Sequence, residues 1–231
     1  MVEILLIGSM HSHTDPDTFS KLERELNAFR PDTVIFEGTK QKYENDLFNY
    51  YLILRLLRRA KAPENFVVQA AESFRLDFGE SIAIRDYCLK AKARLVHFGD
   101  EYIVESKYQI ERETTEMVCG LVADVDAACM YLPEIRAQKR ELARKCWKKF
   151  MNFVDNRVEE KWSVTNDWYY GEKGIWHRDA VMEQTLRKEI KKNPERMAAV
   201  NGFSHLIKDA RKISLYSRIQ DLNTRRIFLY K

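Results

Sequence analysis

The 231-residue sequence predicts an α/β fold: a central, mostly parallel sheet flanked by helices, with a helical insertion or lid. Three observations predict it. Short, near-continuous apolar runs at 2–8, 33–36 and 94–98 read as strands buried on both faces. The first two enclose one amphipathic helix, which makes a β-α-β unit with the usual right-handed crossover. Between 105 and 165, by contrast, the pattern is of long charged helices with no strand.

The elements follow in order. Residues 2–8 run Val-Glu-Ile-Leu-Leu-Ile-Gly, a buried strand ending in glycine. Asp15-Pro16-Asp17 turns the chain and caps a helix whose apolar face is Phe19, Leu22, Leu26 and Phe29. Arg30-Pro31-Asp32 stops that helix, because a residue before proline avoids the helical region. The strand at 33–36 ends in Glu37-Gly38. Residues 44–60 read as a helix with Leu47, Tyr50, Tyr51, Leu54 and Leu57 on one stripe, broken at Ala62-Pro63-Glu64. Residues 74–79 read as a loop and 80–92 as a third helix, with Ile82, Ile84, Cys88 and Leu89 inward. The strand at 94–98 closes in Gly99-Asp100. A long helix rich in Lys, Arg and Glu covers Pro133 to Trp162, and Gly171 and Gly174 mark the loop out of it. A helix at 177–192, a strand at 196–201, a helix at 204–212 and a last strand at 225–230 complete the chain. One domain results, in three stretches: 1–104 and 171–231 as the halves of the core, and 105–170 as the helical insertion.

Composition narrows the function classes. Hydrophobic residues make up 45% and charged residues 32%, enough apolar content for a core without staples. The net charge of +4 permits an anionic ligand but lacks the concentrated basic face that nucleic acid requires. No apolar run approaches a membrane span or a leader, and Cys88, Cys119, Cys129 and Cys146 show no paired zinc spacing. These features point to reduced thiols and a cytoplasmic location. On the charged helix, Lys139, Arg140, Arg144, Lys145, Lys148 and Lys149 interleave with Trp147 and Phe150; a solvated amphipathic helix explains them. Trp162, Trp168, Tyr169, Tyr170 and Trp176 cluster before Arg178, as pocket lining or as the hinge of the insertion.

In open α/β sheets ligands bind beyond the carboxyl ends of the strands. That rule selects His11, Glu37 and Asp100. His11 can act as a base or a metal ligand, and so can Glu37. The spacing Gly-x-x-His of Gly8 to His11 recurs at Gly202 to His205 and at Gly174 to His177. Glycine lets the backbone turn sharply at a strand end and the histidine point back over the sheet. His97, inside a strand, reads as a packed histidine.

Several of these segments, in order, resemble a known superfamily, the TraB/Tiki proteins, with ChaN-like haem-uptake proteins and erythromycin esterases as relatives. The resemblance is carried by Ile-Leu-Leu-Ile-Gly-Ser-Met-His up to His11, by Pro31-Asp-Thr-Val-Ile-Phe-Glu37, and by Gly79-Glu80 before Ile82. It continues in Gly99-Asp100, where Glu101 replaces the family's frequent arginine, in Arg178-Asp179-Ala-Val-Met182 and in Val200-Asn-Gly-Phe-Ser-His205. The resemblance implies a site built from His11, Glu37, Glu80, Arg178 and His205. In it Arg178 steadies an anionic group, and Asp179 orients Arg178 or a histidine, or caps the following helix. His13, Asp100 and Asp179 form a second tier. The same resemblance implies a divalent metal, Mn or Co, on His11, Glu37 and His205 for the Tiki type, whereas the esterases use the histidine as a base without metal. The expected function is a hydrolase acting on a peptide or small-molecule ester, with an anionic substrate group. The competing expectation is a non-catalytic binding or regulatory protein holding an anionic ligand in the same cleft.

Overall fold

A computed structural model of the chain describes residues 2–9, 16–98, 106–151, 175–208 and 214–229. Five parallel strands form one sheet: β1 (Glu3–Ser9), β2 (Thr33–Phe36), β3 (Arg94–His97), β4 (Arg196–Gly202) and β5 (Thr224–Phe228), in the spatial order β3-β2-β4-β1-β5. Every pairing is parallel, so the sheet is more uniform than the sequence suggests. Strand β4, late in the chain, slots between β1 and β2, which reverses the strand order at the centre of the sheet.

Alternation along the strands explains the apolar runs. Leu5, Ile7, Val34 and Val200 face one side, where α1 (Pro16–Phe29) presents Leu22 and Leu26, and α3 (Glu64–Ala91) presents Ala83, Ile84 and Tyr87. Ile4, Leu6, Ile35 and Met197 face the other, against Met182 and Leu186 of α6 (Ile175–Ile190) and Leu215 of the short α7 (Leu215–Arg218). A sheet covered on both sides needs apolar residues at both parities. A further layer of helix lies outside α2 (Lys40–Arg59) and α3. There α4 (Lys107–Ala123) and α5 (Val125–Met151) bury Val118, Ala128 and Leu132 over Ile53, Leu57, Phe66 and Ala70. None of the helices, among the described residues, is long and apolar enough to cross a membrane.

The structure corrects the sequence at four places. Residues 74–79 are not a loop but the middle of α3, a 28-residue helix. Gly79 invited the loop reading, yet it is there for packing: a Cβ would sit 2.3 Å from Cε2 of buried Phe19. The second helix begins earlier, at Lys40, where the Thr39 side chain accepts the Lys42 N–H at 3.0 Å and caps it. The long helix α5 begins at Val125, with Asp124 accepting the Ala127 N–H at 2.9 Å and Pro133 inside it. Where the sequence predicts a helix at 204–212, the chain makes one 3-10 turn, Phe203–Leu206, and Ile207 is extended, while 209–212 lie outside the described residues; α7 was not anticipated. The masking signal is local: Gly202 and a run of mixed residues do not distinguish one tight turn from a helix.

Trp147 of the charged helix is buried with its ring 5.7 Å from that of Phe228 at the sheet edge, and Lys145 pairs with Glu141 at 2.7 Å. The aromatic in the basic run is therefore packing. Trp162, Trp168, Tyr169, Tyr170, Gly171 and Gly174 lie outside the described residues, as does the end of the expected helix.

Two glycines should respond with opposite signs. Gly79→Ala forces Phe19 aside and is expected to lose about 1–2 kcal/mol, overpacking outweighing the helix propensity of alanine. Gly120→Ala, on exposed α4 with nothing near the new Cβ, is expected to gain about 1 kcal/mol. Thermal unfolding of both variants checks the packing, and a neutral Gly79→Ala contradicts it.

Candidate active site at the carboxyl ends of β2 and β4

Glu37 follows β2, and its N–H continues the ladder to the Val200 carbonyl of β4 at 3.0 Å. Alternation then sends its side chain to the α6 side of the sheet. His205 sits in the 3-10 turn that follows β4. Arg178 and Asp179 lie in the first turns of α6. Three separated stretches thus converge on one point, where the strand order reverses.

The contacts form a row. Asp179 Oδ2 accepts the Leu215 N–H at 2.9 Å, its Oδ1 accepts from His205 Nδ1, and His205 Nε2 lies 3.1 Å from Glu37 Oε1. Arg178 Nη2 donates to the same Glu37 Oε1, and the Gly202 N–H donates to Glu37 Oε2. Asp179 is 0% exposed, His205 2% and Glu37 7%, while the Arg178 side chain keeps 27%. Both ring nitrogens of His205 face carboxylate oxygens, so both carry protons. Burial alone would lower the histidine pKa, but Glu37 and Asp179 more than offset it and push it up to about 9. Burial pushes the Asp179 carboxyl up, offset in part by His205 and the Leu215 N–H. The charges of Asp179, His205, Glu37 and Arg178 sum to zero, which is what makes burial of four ionisable groups affordable.

The row opens on a cleft of about 230 Å³, lined by Glu37, Gly38, Lys42, Asp46, Glu80 and Arg178 among others. Glu80 reaches it from mid-α3, not from a strand-end loop as its place after Gly79 suggests. Asp46 was missed by the sequence. Burial pushes its carboxyl up, although Lys42 Nζ at 3.0 Å and Ser81 Oγ at 3.1 Å donate to it. Its i,i+4 spacing from Lys42 looks like an ordinary surface pair; only the packing of α2 on α3 encloses it.

His11, His13 and Asp100 lie outside the described residues. His177 is exposed on α6. His97 packs between Tyr43 and Phe36, and burial lowers its pKa, in keeping with a packed histidine. A larger cavity, about 480 Å³, lies at the amino ends of the strands around Glu3, Arg196 and Arg225. It is on the opposite edge from the buried row and has no histidine or buried carboxylate in its lining.

Two of the three implied metal ligands, Glu37 and His205, bond to each other and to Arg178, Asp179 and the Gly202 N–H, while the third, His11, lies outside the described residues. Among the described residues no group of three or more His, Cys, Asp or Glu side chains is placed to hold an ion. What the row can do is hold Glu37 and Arg178 rigidly at the cleft wall, with a guanidinium available to a developing negative charge.

Fold and site together define a doubly covered parallel α/β protein with a buried Asp-His-Glu-Arg row at its switch point. No family model, curated protein or solved structure matches the chain.

Proposed function

We propose that this chain is a TraB/Tiki-like hydrolase of ester or peptide bonds that works without a metal, as the esterase relatives do. The observation that carries this reading is the convergence of Glu37, Arg178, Asp179 and His205, residues from three of the resembling motifs, into one buried row beside Glu80. In this reading water adds to the acyl carbon and the alcohol or amine leaves with a proton. His11, two residues beyond the end of β1, is the base that takes the proton from water and returns it to the leaving group. Arg178 stabilises the tetrahedral oxyanion and favours a substrate with a nearby anionic group. Glu37 fixes Arg178, and His205 with Asp179 fixes Glu37. Metal independence is supported by the bonds that Glu37 and His205 make to each other and to Arg178, Asp179 and the Gly202 N–H. Four free cysteines support a reducing, cytoplasmic setting.

The test is turnover of a p-nitrophenyl ester series and of fluorogenic peptides. Wild type is expected to hydrolyse at least one class, at a rate unchanged by EDTA, and Glu37→Gln to lose about 100-fold in kcat. Glutamine offers one acceptor where Glu37 uses two, so either Arg178 or Gly202 loses its partner. Absence of turnover, with saturable binding of a small carboxylate that survives His11→Ala and His205→Ala, would transfer the site to a non-catalytic binding protein.

A further inference from the structure

A further cavity, of about 470 Å³, opens between the last turns of α2 and α4. Lys42, in the first turn of α2, lines the cleft of the buried row, and Arg59, in the last turn, lines this cavity. At about 1.5 Å of rise per residue, about 25 Å of helix separates them. The cavity follows from how the two helices meet. Thr114 Oγ1 donates to Asn49 Oδ1 at 2.7 Å, and one turn further along both helices Val118 packs with Ile53 and Leu57. The helices therefore run side by side in the same direction. Beyond that contact Ala60 and Ala123 are too small to close the gap, which leaves a space walled by Leu56, Val118 and Val122.

Small-molecule sites have this character: a few hundred Å³, apolar walls and few polar groups. Arg59 supplies the charge, and among the described residues no carboxylate lines the cavity. Arg55, Arg58, Arg59 and Lys61 stand together at the end of α2, all exposed. None of their side chains is ion-paired or hydrogen-bonded to a described residue. Arg58 and Arg59 offset the partial negative charge at the carbonyl end of α2, and Arg59 does so from the rim of an apolar cavity. A concave space with apolar walls and one cation at its rim suits a molecule with a short apolar chain and a single negative charge. A methylene takes up about the 30 Å³ that a water molecule does, so a chain of about ten to twelve carbons fills about 300–360 Å³. We propose that this cavity is a binding site for a medium-chain fatty carboxylate, its acyl chain between α2 and α4 and its carboxylate on Arg59. The site is separate from the buried row and does not depend on the hydrolase reading.

Calorimetric titration of the full chain with octanoate, decanoate and dodecanoate, each below its micellar limit, tests the proposal. Saturable binding is expected, with Kd falling about 3–4-fold per added methylene. Arg59→Gln, on the surface, should weaken decanoate about 10-fold and leave decanol unchanged. The thiol of Cys119 is exposed and lines the cavity, so it reports the location. Decanoate at about ten times its Kd should slow alkylation of Cys119 by N-ethylmaleimide about 10-fold, read by mass spectrometry, and leave Cys129 and Cys146 unaffected. Binding that leaves the Cys119 rate unchanged puts the fatty acid elsewhere and overturns the site. Equal loss of decanoate and decanol in Arg59→Gln, or loss of neither, overturns the carboxylate contact. Absence of saturable binding overturns the proposal, whether the face then proves to hold anionic vesicles or a second copy of the chain.

Discussion

Asp179→Asn is expected to destabilise the protein by about 3–5 kcal/mol, the cost of removing one partner from a buried charge pair. Asp179 is 0% exposed and uses both oxygens as acceptors, one for His205 Nδ1 and one for the Leu215 N–H. Asparagine has one acceptor oxygen and an NH₂ group. Whichever way it is turned, an N–H of the protein faces an N–H of the side chain with no water to relieve it. His205 then loses one of the two carboxylates that keep it protonated, and Glu37 is held less firmly. At about 2–4 °C per kcal/mol for a chain of this size, Tm should drop by about 10 °C. Hydrolytic activity should fall with it. A shift of less than about 2 °C would mean that Asp179 contributes little beyond accepting the Leu215 N–H.

The second large effect is a loss of stability on the alkaline side of neutrality. His205 is raised in the folded protein to about 9, against 6.5 for the free side chain. A group whose folded pKa lies above its unfolded value contributes fully below the unfolded pKa. That contribution is lost as pH rises through the folded one. The window is therefore about pH 6.5 to 9, and the gap is worth about 3 kcal/mol at about 1.4 kcal/mol per pH unit. His97 is lowered by burial, so its penalty is confined to acid pH. Cys88, pushed up by burial to about 11, and Tyr43, pushed higher still by burial, cost stability only as the unfolded thiol and phenol ionise, from about pH 9 upward. Asp179, raised by burial, costs stability as pH rises above the ordinary carboxylate range, so its share is separated from that of His205 by the variant profiles. Chemical denaturation of wild type between pH 6.5 and 9 is expected to show the decline, and His205→Asn to flatten it. A flat wild-type profile would place His205 as a neutral ring beside a protonated carboxyl.

The sequence carried the architecture of this protein further than its wiring. Apolar runs at both parities require a sheet covered on both faces, and the strands at 33–36 and near 94–98 appear where those runs predict them. The order reversal at β4 is not written in any run, because register between strands 160 residues apart is decided by packing alone. The same division applies to the site. Glu37 is legible as a carboxylate at a strand end, and His205 as the end of a Gly-x-x-His turn. Residues 74–79 misled because a stretch ending in glycine looks like a loop locally; Phe19, sixty residues away, explains it.

By itself, then, the sequence determined the α/β class, the strand ends and the residue types that gather there, since periodicity and short-range turn chemistry are local properties. Tertiary structure alone decided the rest. It set His205 between two carboxylates so that it holds a proton, and closed Asp46 and Glu80 into one cleft. It also left the Asn201 carboxamide buried without a hydrogen-bond partner among the described residues. Proton affinity and hydrogen-bond demand depend on burial and on neighbours brought from distant parts of the chain, and neither is a property of a motif.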